Sequence, residues 1–424
     1  MAGDHPRPQN DKPLTSVEIC AGAGGQAVGL HQAGFHHLSL VEWDRHAVNT
    51  LKANVGAWPG WDESKVDALE PGDVKDFLIS PQYQEIKDRG LRIDLLAGGV
   101  PCPPFSLAGK RLGADDERDL FPDMLKIVAD MKPKAIMIEN VRGILEPPHV
   151  FLEYRRKVIN ELYGLGYDVP LIKTYWSDVK QNAEMSQVWR KLEAKDFGVP
   201  QLRPRAVLVA IHRDFSHGVD FVWPIRARAD SLSVYEKLKP SMRERFNKYW
   251  SLNKHGQPSK KRDETGEYHF DQWQDRALKA LSAGIDVAPT LVGGSRKHGG
   301  ADLGPSRAKQ AWAALGVDGN GVANDIEQCD PARDLFRPKG PMLTVEQAAI
   351  IQGFPTEWEF QGGKTARYRQ VGNAFPPPVA EAVGRAIAAV LRPELRSKLL
   401  ESYVMDDGTA PAGASDSEDQ PVIF

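Results

Sequence analysis

Ser16-Val17-Glu18-Ile19-Cys20-Ala21-Gly22-Ala23-Gly24-Gly25 is the stretch on which the fold turns. Its apolar run, residues 17–20, reads as a strand. The run passes into a glycine and alanine turn, then into a stretch through Gly29 and Leu30 that reads as a helix. Glycines at a strand-to-helix turn let the backbone approach a ligand closely and leave helix-end amides free to bind polar groups. Turns of this kind also serve packing alone, so the motif by itself does not decide between packing and a nucleotide-like ligand.

Four further apolar runs follow, at residues 38–42, 93–98, 135–139 and 206–211, with amphipathic stretches between them. Runs that are apolar on nearly every residue are what strands covered by helices on both faces require, so the chain reads as an α/β protein. Most of the runs end in Gly, Pro or an acidic residue, at the carboxyl edge where open α/β sheets hold their ligands. The second ends in Glu42-Trp43-Asp44, which offers a carboxylate to a ribose diol and an aromatic face to a purine. After Arg213 the rhythm breaks, up to about Phe336, into clustered charge, glycine pairs and scattered Trp and Tyr. Val379, Val383, Ile387 and Leu391 then recur at a spacing of four, a helical face within residues 377–391.

Composition narrows the class. The chain has 424 residues, 54 basic and 57 acidic side chains and a net charge of −3, with 41% apolar residues. That excludes a small disulfide-stapled module and a disordered chain. Cys20, Cys102 and Cys329 are too scattered for a disulfide framework and have no zinc-site spacing, so no metal is expected. No run approaches the ~18 apolar residues of a membrane span, and the polar start lacks a leader pattern. A cytoplasmic protein without a membrane partner is expected.

The third strand delivers Gly98-Gly99-Val100-Pro101-Cys102-Pro103-Pro104-Phe105-Ser106. Most lone cysteines are inert buried hydrophobes, but prolines and glycines around Cys102 make a stiff loop that fixes a thiol at a strand end. A free thiol is only a few per cent thiolate at neutral pH, so a nucleophile there needs help from its surroundings. The fourth strand contributes Glu139-Asn140-Val141. The fifth is preceded by Gln201-Leu202-Arg203-Pro204-Arg205, whose two arginines lie on one side if that segment is extended.

Taken with the late Gln370-Val371-Gly372-Asn373, these blocks give the chain a plain resemblance to the DNA cytosine-5 methyltransferases of the prokaryotic modification type. The likeness covers residues 16–211 and 336–391, in the family's order. It implies a Rossmann-like, S-adenosylmethionine-dependent fold: a mixed sheet flanked by helices, with a smaller irregular target-recognition domain. The implied division is a disordered 1–13, a catalytic and cofactor domain at 14–214, target recognition at 215–335, a return with the last helix at 336–396, and a disordered acidic tail at 405–424.

The resemblance implies a flipped-out cytosine attacked at C6 by Cys102, with Glu139 at N3, Arg205 at O2 and Arg203 supporting the loop or the adduct. S-adenosylmethionine is implied at the turn of Ala21, Gly22, Ala23, Gly24 and Gly25, with Glu42 at the ribose, Trp43 against the adenine, Leu120 nearby, and Asn373 and Ala374 at the methionine end. Asp67 or Asp73 meets the adenine amino group, Asp73 being preferred. Ser106 implies a tie between the catalytic loop, residues 103–113, and the DNA backbone. Thr290, Leu291, Arg296 and Lys297 are implied DNA contacts. Partners are double-stranded DNA and a separately acting cognate endonuclease, the enzyme itself being a monomer.

Two departures stand out. Cys20 occupies a first-strand end where the family has an aromatic residue, and it is assigned to packing; Pro103 replaces a common Gln. The tRNA-methylating branch of the fold is the nearer alternative, but the chain lacks that branch's Cys-Phe-Thr tripeptide and its insert is long. A catalytically dead DNA-binding relative would not need Cys102, Glu139 and Arg205 together, and a Rossmann dehydrogenase leaves Pro101-Cys102 unexplained. The near-neutral total also divides unevenly. Residues 226–309 hold 17 basic against 10 acidic side chains, and the tail after Met405 contributes −5. A basic recognition segment on a mildly acidic body is the expected distribution.

Overall fold

The computed structural model describes residues 12–101, 119–216, 218–229, 232–293 and 301–406. Its main sheet is built from β1 (Leu14–Ile19), β2 (Phe35–Val41), β3 (Leu95–Gly98), β4 (Ala135–Val141), β5 (Trp189–Glu193) and β6 (Pro204–Ile211) in the order β2-β1-β3-β4-β6-β5. The first four strands run parallel, and β6 runs antiparallel to both β4 and β5. Parallel neighbours need crossover helices, and the chain supplies them: α1 (Gly25–Gln32) follows β1, and α2 (Arg45–Val55), α3 (Glu63–Asp67) and α4 (Pro81–Asp88) follow β2. Next come α5 (Phe121–Met131) before β4, and α6 (Leu152–Gly164) and α7 (Asp178–Met185) before β5.

Alternate residues of each strand face opposite layers. Val17, Ile19, Ile136 and Ile138 face a core with α5 and α6. Leu95, Ala97, Met137 and Val207 face a second core with Leu30 of α1 and Val383 and Ile387 of α14 (Pro377–Leu391). Small residues let these two helices touch: a Cβ on Gly29 would lie 2.2 Å from the Pro377 carbonyl oxygen, and one on Gly384 would lie 2.9 Å from Ala33 Cβ. α14 therefore folds back onto α1, the first helix. Its four expected core residues are buried, but so are Ala382, Ala386, Ala389 and Val390 between them, because it is enclosed on nearly every side.

Several boundaries differ from the sequence reading. β1 starts earlier than expected and stops before Cys20, whose φ of +52° already belongs to the glycine turn. β5 has the sequence Trp-Arg-Lys-Leu-Glu, and as an edge strand with polar alternate residues it carried no apolar run to find. Neither Asp67 nor Asp73 follows a strand: Asp67 ends α3, and Asp73 caps a 3₁₀ turn at Val74–Ile79.

Where described, residues 215–335 join α8 (Val234–Asn247), α9 (Gly266–Ser282), α10 (Ser306–Ala314) and α11 (Pro331–Asp334) by long irregular stretches. Leu238, Phe246, Trp273 and Trp312 share one apolar core with Leu51 of α2, Val345 of α12 (Val345–Gln352) and Val371 of α13 (Lys364–Asn373). The final elements are α15 (Arg396–Leu400) and β8 (Tyr403–Met405), which pairs with β7 (Pro224–Ala227). The expectation that disorder begins at Met405 is corrected here. Met405 lies in this pairing, the Asp406 amide donates to Trp223 O at 2.9 Å, and the Asp406 carboxylate pairs with Arg190.

Candidate active site

The order of the sheet creates the site. The chain leaves β1 toward β2 and returns to β3 on the other side of β1, so the turns after β1 and β3 open away from each other at a switch point, where open α/β sheets bind ligands. After β1, Gly22 and Gly24 adopt φ of +56° and +89°, which side-chain-bearing residues rarely adopt. A Cβ on Gly22 would meet nothing within 4 Å. The turn is tied down by the Gly22 amide, which donates to Glu42 Oε2 at 2.7 Å, and by the Ala21 amide, which donates to Val41 O at 3.0 Å.

Glu42 is buried and organises the end of β2. Its Oε1 accepts from the amides of Trp43 at 2.9 Å and Asp44 at 2.8 Å. Burial pushes this carboxyl above its ordinary value, and the three amides pull it back. Oε2 takes one amide and retains room for a hydroxyl donor. Trp43 beside it is 79% exposed, a free aromatic face. The Gly72 amide donates to Glu42 O at 2.8 Å, which brings exposed Asp73 to the same strand end, whereas Asp67 lies by Lys52, whose ammonium donates to its carbonyl at 3.1 Å. Cys20 lies within electrostatic range of Glu42, Asp73 and Glu18, and burial pushes its thiol far up, which suits a packing residue.

The second half of the site lies at β3, β4 and β6. Because β6 is antiparallel, its first residues stand at the carboxyl edge of β4, with Val141 opposite Arg205. Glu139 and Arg205 meet there, Nε to Oε1 at 2.7 Å, both largely shielded from water. Burial raises the Glu139 carboxyl above its ordinary value, and the Arg205 and Arg203 guanidinium groups oppose the rise. Glu139 Oε2 lies 3.4 Å from where a Gly99 Cβ would stand, so glycine there leaves the carboxyl room beside the turn after β3. Asn140 holds that turn: its side-chain amide donates to Val100 O at 2.7 Å, and its carbonyl accepts from the Val141 amide at 2.8 Å. Cys102 and Ser106, with the whole 103–113 loop, lie outside the described residues, as do Arg296 and Lys297. Pro101, one residue before Cys102, ends the turn that Asn140 holds.

Arg203 lies behind the Glu139–Arg205 pair. It is 1% exposed, and its terminal nitrogens donate to three carbonyls: Leu291 O at 2.7 Å, Gly372 O at 2.7 Å and Ala374 O at 2.8 Å. It is a clasp that positions other segments, on the supporting side of the role expected for it. Leu291, expected at DNA, is fully buried, and its amide donates to Gln201 Oε1 at 2.8 Å. Thr290 donates its hydroxyl to Leu202 O. Gln201 and Gln352 bond at 2.7 Å, and Gln352 reaches Ala374 O at 2.6 Å. This clasp lays residues 290–293 against the end of α13: a Cβ on Gly293 would stand 2.1 Å from Asn373 Oδ1. Asn373 itself is exposed, and Ala374 lies 3.0 Å from where a Gly25 Cβ would stand, so the end of α13 reaches the glycine turn. Leu120 is half-buried as the cap of α5.

Sequence reasoning had not singled out Asn140 as an anchor or Gln352 as a bridge, although Asn140 sits inside the Glu139 block. It also passed over buried Asp119, which accepts from the Tyr154 hydroxyl at 2.6 Å and the Phe121 amide at 3.1 Å. Among the described residues no cluster of His, Cys, Asp and Glu is arranged to hold a metal ion, and no helix is long and apolar enough to cross a membrane.

A glycine turn with a carboxylate at one strand end, and a shielded Glu–Arg pair two strands along, define an α/β enzyme with its site on the carboxyl edge of the sheet. The family profile described as C-5 cytosine-specific DNA methylase matches residues 14–389. The chain belongs to that family and is a DNA cytosine-5 methyltransferase. It is 46% identical to the Type II methyltransferase M.NaeI of Lentzea aerocolonigenes, over 90% of this chain and 76% of that protein. It is 39% identical to M.NgoMIV of Neisseria gonorrhoeae, over 90% of this chain and 99% of that one. Among solved structures, a DNA modification methyltransferase encoded within an Escherichia coli prophage shares the fold, with a TM-score of 0.54 and 21% identity over 89% of this chain and 99% of that one.

Proposed function

We propose that this enzyme methylates C5 of cytosine within a specific duplex sequence through a covalent Cys102 adduct, with S-adenosylmethionine as donor, acting as a monomer beside a separate restriction endonuclease. The Type II names of its relatives M.NaeI and M.NgoMIV support the restriction-modification setting. The observation that carries the chemistry is the shielded Glu139–Arg205 pair beside the turn that leads into Cys102.

The cofactor reading fits the turn. Open space at Gly22, the free capacity of Glu42 and the exposed Trp43 ring suit a nucleoside, with exposed Asp73 as the proposed acceptor for its exocyclic amine. Asn373 and Ala374 lie on the other side of the glycines for the amino-acid end. When bound, S-adenosylmethionine supplies an electrophilic methyl group on a sulfonium.

The target carbon lies inside a stacked helix, so the base must be flipped out at a cost of about a few kcal/mol. The Cys102 thiolate then adds to C6, and the displaced C5–C6 electron pair makes C5 nucleophilic. Glu139, kept protonated more readily by burial, gives its proton to N3 as charge develops there. Arg205 fixes Glu139, and its proposed contact is with the O2 of the flipped base. Once C5 carries the methyl group, its proton leaves to a base, that electron pair re-forms the ring double bond, Cys102 departs as thiolate and N3 returns its proton to Glu139. Residues 215–335 would select the sequence, with basic side chains on phosphates and a few side chains in the major groove.

A 5-fluorocytosine duplex tests this, because fluorine at C5 cannot leave as a proton. With S-adenosylmethionine present, the wild-type enzyme is expected to form a complex that survives denaturation, and Cys102→Ser to form none while keeping cofactor affinity. Trapping by Cys102→Ser would overturn the assignment.

A further inference from the structure

We propose that Trp358 is a positioning residue for the cofactor end of the site, holding the glycine turn in its ligand-ready shape from the outer side; this rests on the reading of that turn as the cofactor cradle. Trp358 lies 335 residues from the turn in sequence and on it in space. Its buried indole N–H donates to Ala23 O at 3.1 Å. Ala23 is flanked by Gly22 and Gly24, both left-handed, so this bond holds the carbonyl of the Ala23–Gly24 peptide in the middle of the turn. A Cβ on Gly24 would lie 2.7 Å from Trp358 Cζ2 and 3.0 Å from Leu51 Cδ2, which leaves the indole in direct contact with the backbone it supports.

The indole is itself held on both sides. Its far face meets Trp58 at 5.7 Å between ring centroids, and Trp58 stacks on His31 of α1 at 4.5 Å with an 8° interplanar angle. The residues after it are docked on α2. Asn54 exchanges two bonds with Glu359, each at 2.9 Å, and the Gln361 amide donates to Thr50 Oγ1 at 2.8 Å. α2 is the helix that follows Glu42, so one scaffold carries both the carboxylate end and the indole that shapes the glycine end. The turn has its own short bond, Gly24 amide to Ala21 O at 3.1 Å, but among the described bonds only Trp358 holds the Ala23 carbonyl. Without it, the Ala23–Gly24 peptide keeps its N–H bond to Ala21 but loses the anchor on its carbonyl, so the outer side of the turn between Gly22 and Gly24 is held less firmly.

The test uses the full-length enzyme with Trp358→Phe, which keeps an aromatic ring and removes the donor. Cofactor Kd by calorimetry and cofactor KM at saturating DNA are expected to rise about threefold to tenfold, the range of one hydrogen bond. kcat at saturating cofactor and KM for DNA are expected within about twofold of wild type, a split that lost packing alone would not give. Asn54→Ala, which frees Glu359 and leaves the ring intact, is expected to move cofactor KM in the same direction, and it stands in if Trp358→Phe does not fold. An unchanged cofactor Kd, or equal losses in cofactor and DNA affinity, would overturn the proposal. Glu42→Gln is the control. If it weakens cofactor binding while the other two do not, the role of Trp358 fails alone; if it too has no effect, the cofactor reading of this end fails with it.

Discussion

Two arginines two residues apart carry the same side chain, and the fold gives them different work. Arg205 points at Glu139, while Arg203 is consumed by three backbone carbonyls. Nothing in the residue type distinguishes them; what does is the long-range arrival of residues 291 and 372–374, which no local pattern announces. Substitution should separate them. Arg205→Ala is expected to lower kcat by about a hundredfold or more, the scale of a lost electrostatic contact to the reacting ring. Arg203→Ala strands three buried carbonyls and is expected to cost about 3 kcal/mol or more in stability, measured by urea unfolding. Glu18 gives a pH prediction. It is fully buried on β1, and burial with Glu42 nearby raises its pKa well above the ordinary 4.5 against the opposing pull of the Ala27 amide. A carboxyl raised in the folded state holds its proton longer there than in the unfolded chain, so stability is full below the ordinary value and falls as pH climbs toward the raised one. Glu18→Gln is expected to flatten this decline as pH rises above about 4.5, measured by urea unfolding across pH; an unchanged slope would mean Glu18 ionises freely.

At the scale of elements, what was readable followed the hydrophobic pattern. The β1, β2, β3, β4 and β6 runs are apolar because both of their faces are covered, and each is present, with ends shifted by a few residues at most. β5, β7 and β8 escaped because an edge strand or a short two-stranded pair needs no continuous apolar run. The direction of β6 was equally invisible, yet it is what brings Arg205 to the edge that carries Glu139. The terminal pair offers a test of its own. Tyr403 is buried and β8 pairs with β7, so a chain ending at residue 402 is expected to lose about 2 kcal/mol relative to one ending at residue 406, the value of burying one large side chain. Both chains are expected to keep cofactor affinity by calorimetry, because α13 and α14 remain.

Over the whole molecule, the motif blocks named the chemistry long before the fold could be drawn, because a Pro-Cys turn and a Glu-Asn-Val strand end set reactive groups at the edge of the sheet, and a late Gly-Asn ends a helix that reaches the glycine turn. What they could not convey is how the chain closes on itself. Trp358 and Gly293 act on the glycine turn and on Asn373 from far along the sequence, through contacts that depend on the whole sheet being assembled. The near-neutral net charge of −3 likewise concealed a basic segment between residues 226 and 309, as a DNA-binding enzyme requires. The most direct measurement is base-resolved sequencing of plasmid DNA treated with the purified enzyme and labelled S-adenosylmethionine. The expected result is 5-methylcytosine at one recurring duplex sequence, absent with Cys102→Ser; methyl groups at cytosine N4 or adenine N6, or on tRNA alone, would contradict it.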